Sequence, residues 1–404
     1  MTGPGDNGNK KQPEGILQEV RASAESIIAY LNNVGINDIA GDEALVLLAL
    51  SLGASPDSLR AGVLRDLDIT PAKASQIIDG LIGREYIEFC QGPGDGGEQR
   101  AALTSRGAAA FEALKTGVIV ARWTDFSFRP GDIVVSTWPK SGTTWMQMIC
   151  ALLVFQTPEL PAPLGELSPH LEWTRVPRDE MFAALAAQQH RRVIKTHLPL
   201  DAVPVVPTVT YVTVARHPLD AALSFYSLNQ QGTKTGGKAH APNAADRPPT
   251  PDQPMRGPTS PREDLVHWIH REPSSDSSNA LAGMLQLLSV AWELREEPNM
   301  LLLHYEELSA DLEGEMRRIA ARLGIVVPAA TWPHLVEAAT FKQMQASPER
   351  YAPADLKEKE VAAFFNKGTS GQGRRLLTSE ELARYHARAA QLAPADLLAW
   401  LHRQ

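Results

Sequence analysis

Thr137-Trp-Pro-Lys-Ser-Gly-Thr-Thr-Trp-Met146 is the stretch on which the reading of this 404-residue chain turns. It follows an apolar run, Asp132-Ile-Val-Val-Ser, and opens a helical pattern that continues through Met146, Ile149 and Leu152. A strand, a short glycine-containing loop and a helix N-terminus bring backbone N–H groups, the positive end of the helix dipole and hydroxyls onto one anion. Lys140 adds a full positive charge. A Walker A loop ends in Gly-Lys-Ser/Thr, whereas this one reads Lys-Ser-Gly-Thr-Thr, so the ordinary P-loop kinase signature is absent.

Working outward, three more apolar runs have strand character: Arg192-Val-Ile-Lys-Thr, Val209-Thr-Tyr-Val-Thr-Val-Ala and Met300-Leu-Leu-Leu-His-Tyr. Near-continuous apolar strands alternating with helical patterns predict a buried parallel sheet covered by helices on both faces. Lys195 and His197 stand two residues apart at the end of the second run, the edge where such sheets bind ligands, and so can face one site. A histidine there suits proton transfer near neutral pH. The third run ends in Ala-Arg216-His-Pro218, and Pro218 at a helix start places Ser224 on the first turns of that helix. Arg216 suits a phosphate because its planar fork donates two hydrogen bonds at once.

The string Pro139-Lys-Ser-Gly-Thr-Thr-Trp145 resembles the hallmark of cytosolic-type sulfotransferases, which use 3′-phosphoadenosine 5′-phosphosulfate (PAPS). The resemblance runs from about Phe128 to the last helices and rests on separated segments in the family's order. It implies that Lys140 meets the bridging oxygen and leaving phosphate, that Ser141, Gly142, Thr143 and Thr144 hold the 5′-phosphosulfate, and that Trp145 lies near the adenine. Lys195-Thr-His-Leu-Pro199 implies His197 as the base that takes the acceptor's hydroxyl proton, with Lys195 offsetting charge on the sulfuryl oxygens. Arg216 and Ser224 take the 3′-phosphate positions, and Ser224 is counted with His197, Lys140 and Lys195 in the catalytic set. Tyr305 and Phe341 match adenine-side positions, where core packing is the other reading of each. Phe364-Phe-Asn-Lys-Gly-Thr-Ser-Gly371 resembles the segment that closes over the 3′-phosphate. Lys367, Gly368 and Gly371 match, Asn366 replaces an arginine, and Gln372-Gly373 replace Asp-Trp, with Arg374 or Arg375 as substitutes for the lost contact. The implied reaction is in-line transfer from PAPS to a hydroxyl of a small molecule, without a metal; no clustered His/Cys/carboxylate ligand set is seen.

Ahead of this domain, residues 18–54 carry apolar residues at helical spacing, including Ile27, Leu31, Leu45 and Leu48. A further helix, a turn and a helix capped by Thr70 with Pro71 follow, then a hairpin made of Tyr86-Ile-Glu-Phe-Cys, a glycine-rich tip and Gln99-Arg-Ala-Ala-Leu-Thr. The segment resembles MarR-type winged-helix regulators. The fold expected is thus α/β, a P-loop-like parallel-sheet domain over 118–404 preceded by a mostly helical winged-helix domain over 18–117, with residues 1–17 as a disordered tail. The winged-helix resemblance implies DNA contacts from Lys73, Ser75, Gln76 and Arg100, and a homodimer. Residues 1–117 hold 16 Asp/Glu against 10 Lys/Arg, which counts against a duplex partner and favours protein contacts or docking.

Composition sets the remaining bounds. A hydrophobic fraction of 43% with 21% charged residues reads as a globular chain of at least two domains, with no apolar run long enough for a membrane span and no signal peptide, hence cytoplasmic. A formal net charge of −8 requires that any anionic ligand be held by local cations. Cys90 and Cys150, far apart, make neither a disulfide framework nor a zinc pattern. The Gly/Pro/Thr-rich residues 229–264 read as a mobile loop, a lid or an insertion. Trp173, Phe225, Tyr226 and Trp268 are candidates for the acceptor pocket or for core. Two other functions are weighed. A P-loop-type kinase would need a magnesium-binding carboxylate at a strand end, where this sequence has Lys195-Thr-His and Arg216-His. A regulator that senses PAPS or its product would dispense with His197.

Overall fold

The computed structural model describes residues 11–52, 54–60, 64, 67–91, 99–234, 260–271, 280–352, 361, 364, 365 and 370–403. The chain packs as two compact units: residues 1–127 together with 172–186, and residues 128–171 together with 187–404.

The first unit is helical around one hairpin. Helices α1 (Lys11–Ala22), α2 (Ala24–Asn33), α3 (Gly41–Ser51), α4 (Pro56–Arg60) and α5 (Pro71–Gly83) precede strands β1 (Ile87–Gln91) and β2 (Gln99–Leu103), and helix α6 (Ser105–Thr124) follows. Helix α3 is apolar all round, with Ala44 to Leu50 buried without a break, and an all-round apolar helix belongs at the centre of a core. Thr70 caps α5 as its sequence predicts: its hydroxyl accepts the N–H of Lys73 and Pro71 occupies the first turn. The hairpin pairs antiparallel from Ile87 opposite Leu103 to Gln91 opposite Gln99; its glycine-rich tip, 92–98, lies outside the described residues. Helix α1 starts inside the stretch whose polar composition reads as a tail, because Leu17 and Val20 give it an apolar side to bury. Helix α6 crosses position 117 without a break, so the expected boundary falls inside a helix.

The second unit is built on strand β3 (Ile133–Ser136), with helix α7 (Thr143–Phe155) and the short helix α8 (Leu164–Leu167) behind it. Helix α9 (Arg178–Ala187) lies almost wholly in the segment that packs with the first unit. Strands β4 (Val193–Thr196) and β5 (Thr210–Ala215), helices α10 (Pro218–Lys234), α11 (Pro261–His270) and α12 (Leu281–Glu293), and strand β6 (Met300–His304) come next. Helices α13 (Tyr305–Ala310), α14 (Leu312–Leu323), α15 (Trp332–Ala338), α16 (Phe341–Ala346), α17 (Pro348–Tyr351), α18 (Gln372–Leu376), α19 (Ser379–Leu392) and α20 (Ala395–Leu401) complete the described elements. The sheet has four parallel strands in the order β4-β3-β5-β6. Ile133, Val135, Val193, Val212, Val214, Leu301 and Leu303 share one core with α7, α14 and α15. Val134, Ile194 and Thr213, which point the other way, are equally buried, so both faces are covered. A second core gathers α10 to α12 with α19 and α20 around Leu219, Leu285, Leu288, Tyr385 and Leu397. At the opposite edge from the site, Arg192 Nε donates to Asp132 Oδ1 at 2.8 Å and ties the starts of β3 and β4 together.

Residues 229–234 and 261–264, at the two ends of the predicted loop, are helical. Ser260 and Glu263 form a reciprocal capping box with Pro261 in the first turn, which starts α11 earlier than composition suggests. Residues 235–259 lie outside the described set. No described helix is long and apolar enough to cross a membrane. Burial pushes the Cys150 thiol up to about 12, as for an inert packing thiol.

Candidate active site

Four strand ends meet at one edge of the sheet, and each delivers a predicted group. β3 runs into the 137–142 loop, β4 into His197, β5 into Arg216 and β6 into Tyr305. In a parallel sheet this carboxyl edge is where ligands sit.

The loop after β3 turns through two left-handed residues, Lys140 at φ +65° and Gly142 at φ +108°. A Cβ at Gly142 would stand 3.2 Å from the Tyr305 ring, so space as well as φ calls for glycine. Lys140 has no such freedom and holds a strained conformation, which costs about 1–3 kcal/mol and is typical of functional loops. Thr137 Oγ1 and Thr143 Oγ1 lie 2.5 Å apart and close the loop. Ser141 is buried, and its Oγ has no hydrogen-bond partner among the described residues. An unsatisfied buried hydroxyl costs about 1–3 kcal/mol, so an oxygen-rich ligand at the loop would satisfy it. Thr144 is partly exposed at the start of α7. Trp145 is buried, donates from Nε1 to Ala339 O at 2.7 Å and meets Tyr305 edge-on.

Cations crowd this loop. Lys140 Nζ donates to Phe364 O at 2.8 Å and sits 4.1 Å over the Phe364 ring. Burial, then the charges of Arg216 and Lys195, push its ammonium down to about 7. Arg216 donates from Nη1 to Lys140 O at 3.2 Å and lies 4.4 Å over the Tyr305 ring. Like charges forced together in a crevice mark a place prepared for an anion.

His197 is oriented by its backbone neighbour. Its Nδ1 lies 2.6 Å from Thr137 O, and a carbonyl can only accept, so Nδ1 carries the hydrogen and Nε2 carries the lone pair of the neutral ring. The His170 ring packs edge-on against it at 5.1 Å. Lys195 pairs with Val135 in the sheet and bridges His170 on its outer side.

Other predicted residues take varied places. Ser224 is partly exposed on α10, and Phe341 opens α16 against Phe365. Tyr305 is the first residue of α13, because the His304 side chain caps that helix. Asn366, Lys367 and Gly368 lie outside the described residues; Arg374 and Arg375 are exposed on α18. Phe225 and Trp268 are buried beside Trp138 in the second core, while Trp173 and Tyr226 are partly exposed. Among the described residues no group of three or more His, Cys, Asp or Glu could hold a metal ion.

Sequence reasoning passed over two supporting residues. Asp220 is buried and accepts the N–H of Gly371 at 2.7 Å and of Gly373 at 2.8 Å. Ser370 donates to Glu306 at 2.8 Å. These bonds anchor the chain directly after residues 366–369. An acidic residue in a helix's first turn is too common to stand out, and the partners of Asp220 are backbone groups that leave no sequence mark. Gly373 packs so closely that a Cβ would fall 2.3 Å from Leu219 O. Gly373→Ala is therefore expected to destabilise the unit by about 1–3 kcal/mol, read from urea unfolding.

The parallel sheet, the glycine-bearing loop with its clustered cations and the oriented histidine define an α/β protein with a cationic cluster at the carboxyl edge of its sheet. Residues 130–393 match the model of the sulfotransferase domain, and the chain belongs to that family. A glycolipid sulfotransferase of Mycobacterium bovis (strain BCG / Pasteur 1173P2) is 37% identical over 296 residues, 70% of this chain and 90% of that protein. Sulfotransferase 1A1 of Rattus norvegicus is 27% identical over 278 residues, 66% of this chain and 86% of that protein. The fold is that of a retinol dehydratase in complex with androsterone and the inactive cofactor PAP (TM-score 0.52, 20% identity, 81% of this chain and 95% of that one). A mouse sulfotransferase complexed with PAP matches similarly (TM-score 0.51, 18% identity, 78% of this chain and 99% of that one).

Proposed function

We propose that this sulfotransferase moves the sulfuryl group of PAPS to a hydroxyl of a small-molecule acceptor, with His197 as general base. The observation that carries this reading is the crowding of Lys140, Lys195 and Arg216 at one strand edge, which burial makes costly unless a polyanion enters. PAPS supplies the sulfuryl group and a phosphate leaving group. His197 Nε2 takes the acceptor's proton as its oxygen bonds to sulfur, while the sulfur–oxygen bond to the 5′-phosphate breaks with its electron pair going to that phosphate. Lys140 sits where the leaving oxygen gathers charge, and Lys195 faces the sulfuryl oxygens. Ser141, Gly142, Thr143 and Thr144 hold the 5′-phosphosulfate, Arg216 and Ser224 the 3′-phosphate, and Trp145, Tyr305 and Phe341 border the adenine. Lys367 and Gly368 belong to the same nucleotide site, with Asn366 beside them. The glycolipid named for the mycobacterial relative points to a carbohydrate or lipid hydroxyl as the acceptor. Cytoplasmic location goes with this reading.

Titration calorimetry with 3′-phosphoadenosine 5′-phosphate (PAP) tests it. Arg216→Ala is expected to weaken binding about 10- to 50-fold, the worth of one charge-assisted phosphate contact. Wild-type protein that does not bind PAP would end the proposal.

The first unit is, in the same reading, a winged helix of MarR type over residues 18–117, with α5 in the recognition position. The order of α4, α5, the β1–β2 hairpin and α6 supports it. Protein contact or pairing between two copies fits its surface better than DNA. Lys73 forms an ion pair with Asp42, Arg84 with Glu43, and Arg106 with Asp38. Cations so neutralised release few counterions from a duplex.

A further inference from the structure

Asp220 is a buried carboxylate in the first turn of α10, four residues after Arg216 and four before Ser224. Residues four apart on a helix share a face, so Asp220 and Ser224 lie on one side of α10. Burying a carboxylate is costly unless hydrogen bonds compensate it, and here two amides do so. Gly371 N donates to Oδ2 at 2.7 Å and Gly373 N to Oδ1 at 2.8 Å. Both amides belong to the start of α18, where a helix leaves its N–H groups without intrahelical partners. The anion that caps α18 is thus Asp220 itself, and all of these residues belong to the second unit.

The chain is fixed on either side of these two bonds. Ahead of them Ser370 donates to Glu306 at 2.8 Å, one residue after Tyr305, whose ring lies under Arg216. Beyond them Leu377 is buried in the second core. Gly373 itself touches the backbone of α10, since a Cβ there would fall 2.3 Å from Leu219 O. Arg374 comes next on this pinned backbone; it is exposed and forms no ion pair among the described residues. Burial lowers the His217 imidazole, Asp220 and Glu306 raise it, and His386 and Arg374 lower it again, so the charge of Arg374 reaches the residue beside Arg216. Arg375 instead turns back over Gly371, its Nη2 3.5 Å from the point a Cβ there would occupy.

We propose that Asp220 is a positioning residue for the 3′-phosphate of the nucleotide: by holding the amides of Gly371 and Gly373 it fixes the start of α18 against the face of α10 that carries Ser224, and so places Arg374 beside Arg216 as a second phosphate-binding arginine. The inference rests on the assignment of Arg216 and Ser224 to the 3′-phosphate. Asp220 is no ligand itself, because a carboxylate repels a phosphate and both of its oxygens are engaged by amides. It acts by setting where a cation stands. Arg374 thereby supplies a guanidinium to a site in which Asn366 occupies the position of an arginine, and its planar fork suits a phosphate as that of Arg216 does.

Calorimetry with two nucleotides that differ only in the 3′-phosphate, PAP and adenosine 5′-phosphate (AMP), reads this contact apart from the rest of the site. Asp220→Asn keeps the shape of the side chain, accepts from only one of the two amides and turns an N–H donor toward the other. It is expected to weaken PAP about tenfold and to leave AMP within about twofold of wild type. Arg374→Ala removes an exposed side chain and is expected to give the same pattern, a loss of about 5- to 20-fold for PAP with AMP unchanged, so the proposal stays open to refutation if Asp220→Asn does not fold. An unchanged PAP affinity in either folded variant would overturn the proposal. So would PAP and AMP weakened alike in Asp220→Asn, the mark of a carboxylate that only stabilises the unit. Wild-type protein that binds PAP no more tightly than AMP, or binds neither, would instead bring down the assignment of Arg216 and Ser224 to the 3′-phosphate, and this inference with it.

Discussion

His197→Gln is expected to lower kcat by about 10²- to 10⁴-fold, the usual worth of a general base, with PAP affinity within about twofold of wild type. The hydrogen bond from Nδ1 to Thr137 O leaves Nε2 as the nitrogen with the lone pair, and glutamine can imitate the donor side of that bond while offering no basic lone pair. One neighbour could compete as base: Lys140, whose ammonium is pushed down to about 7 and is half-neutral at that pH in the unliganded protein. A bound phosphosulfate would restore its charge, so Lys140 should not stand in for His197 during turnover. Steady-state rates of the variant across neutral to alkaline pH separate the two. A residual rate above a tenth of wild type, or one climbing with pH, would move the base from His197 to Lys140.

The sheet and its carboxyl-edge groups were legible in the sequence because both carry local marks. Buried parallel strands read as unbroken apolar runs, and Ile133 to Ser136 and Thr210 to Ala215 are such runs. The loop declares itself through a glycine between a lysine and two threonines, since φ of +108° strains any other residue and the Tyr305 ring would stand 3.2 Å from its Cβ. What stayed hidden has a common cause: the partners are backbone atoms or distant side chains. Thr137 O, which orients His197, and Trp173 O and Val176 O, which hold Arg122, are carbonyls that any residue would offer. Asp220 likewise serves the amides of Gly371 and Gly373, some 150 residues away. Aromatic identity was ambiguous for a different reason. Phe225 and Trp268 look the same in sequence whether they line a pocket or fill a core, and their burial beside Trp138 settles them as core.

If Lys140 holds the phosphosulfate as proposed, its depressed ammonium is expected to make nucleotide binding depend on pH in a defined direction. In the unliganded protein, burial and the charges of Arg216 and Lys195 disfavour the charged form, so Lys140 loses its proton through about pH 7. A bound phosphate favours the charged form, so above about pH 7 binding must draw a proton from solvent. Affinity for PAP is then expected to fall with a slope that approaches tenfold per pH unit, roughly fiftyfold between pH 7 and 9, by the same linkage that converts pKa shifts into free energy. The ligand itself is not the source, since phosphate monoesters lose their second proton near pH 6. Stability of the unliganded fold moves the other way: the unfolded chain keeps a proton that the folded one has lost, so the Lys140 contribution to stability rises with pH over the same window. Calorimetry in two buffers of different ionisation enthalpy measures the proton uptake directly, approaching one per PAP by about pH 9 in wild type and near zero in Lys140→Met. A wild-type affinity that is flat over this range would mean that Lys140 remains charged without ligand, and that the loop is held by its contacts with Phe364 and Arg216 and not by an anion still to come.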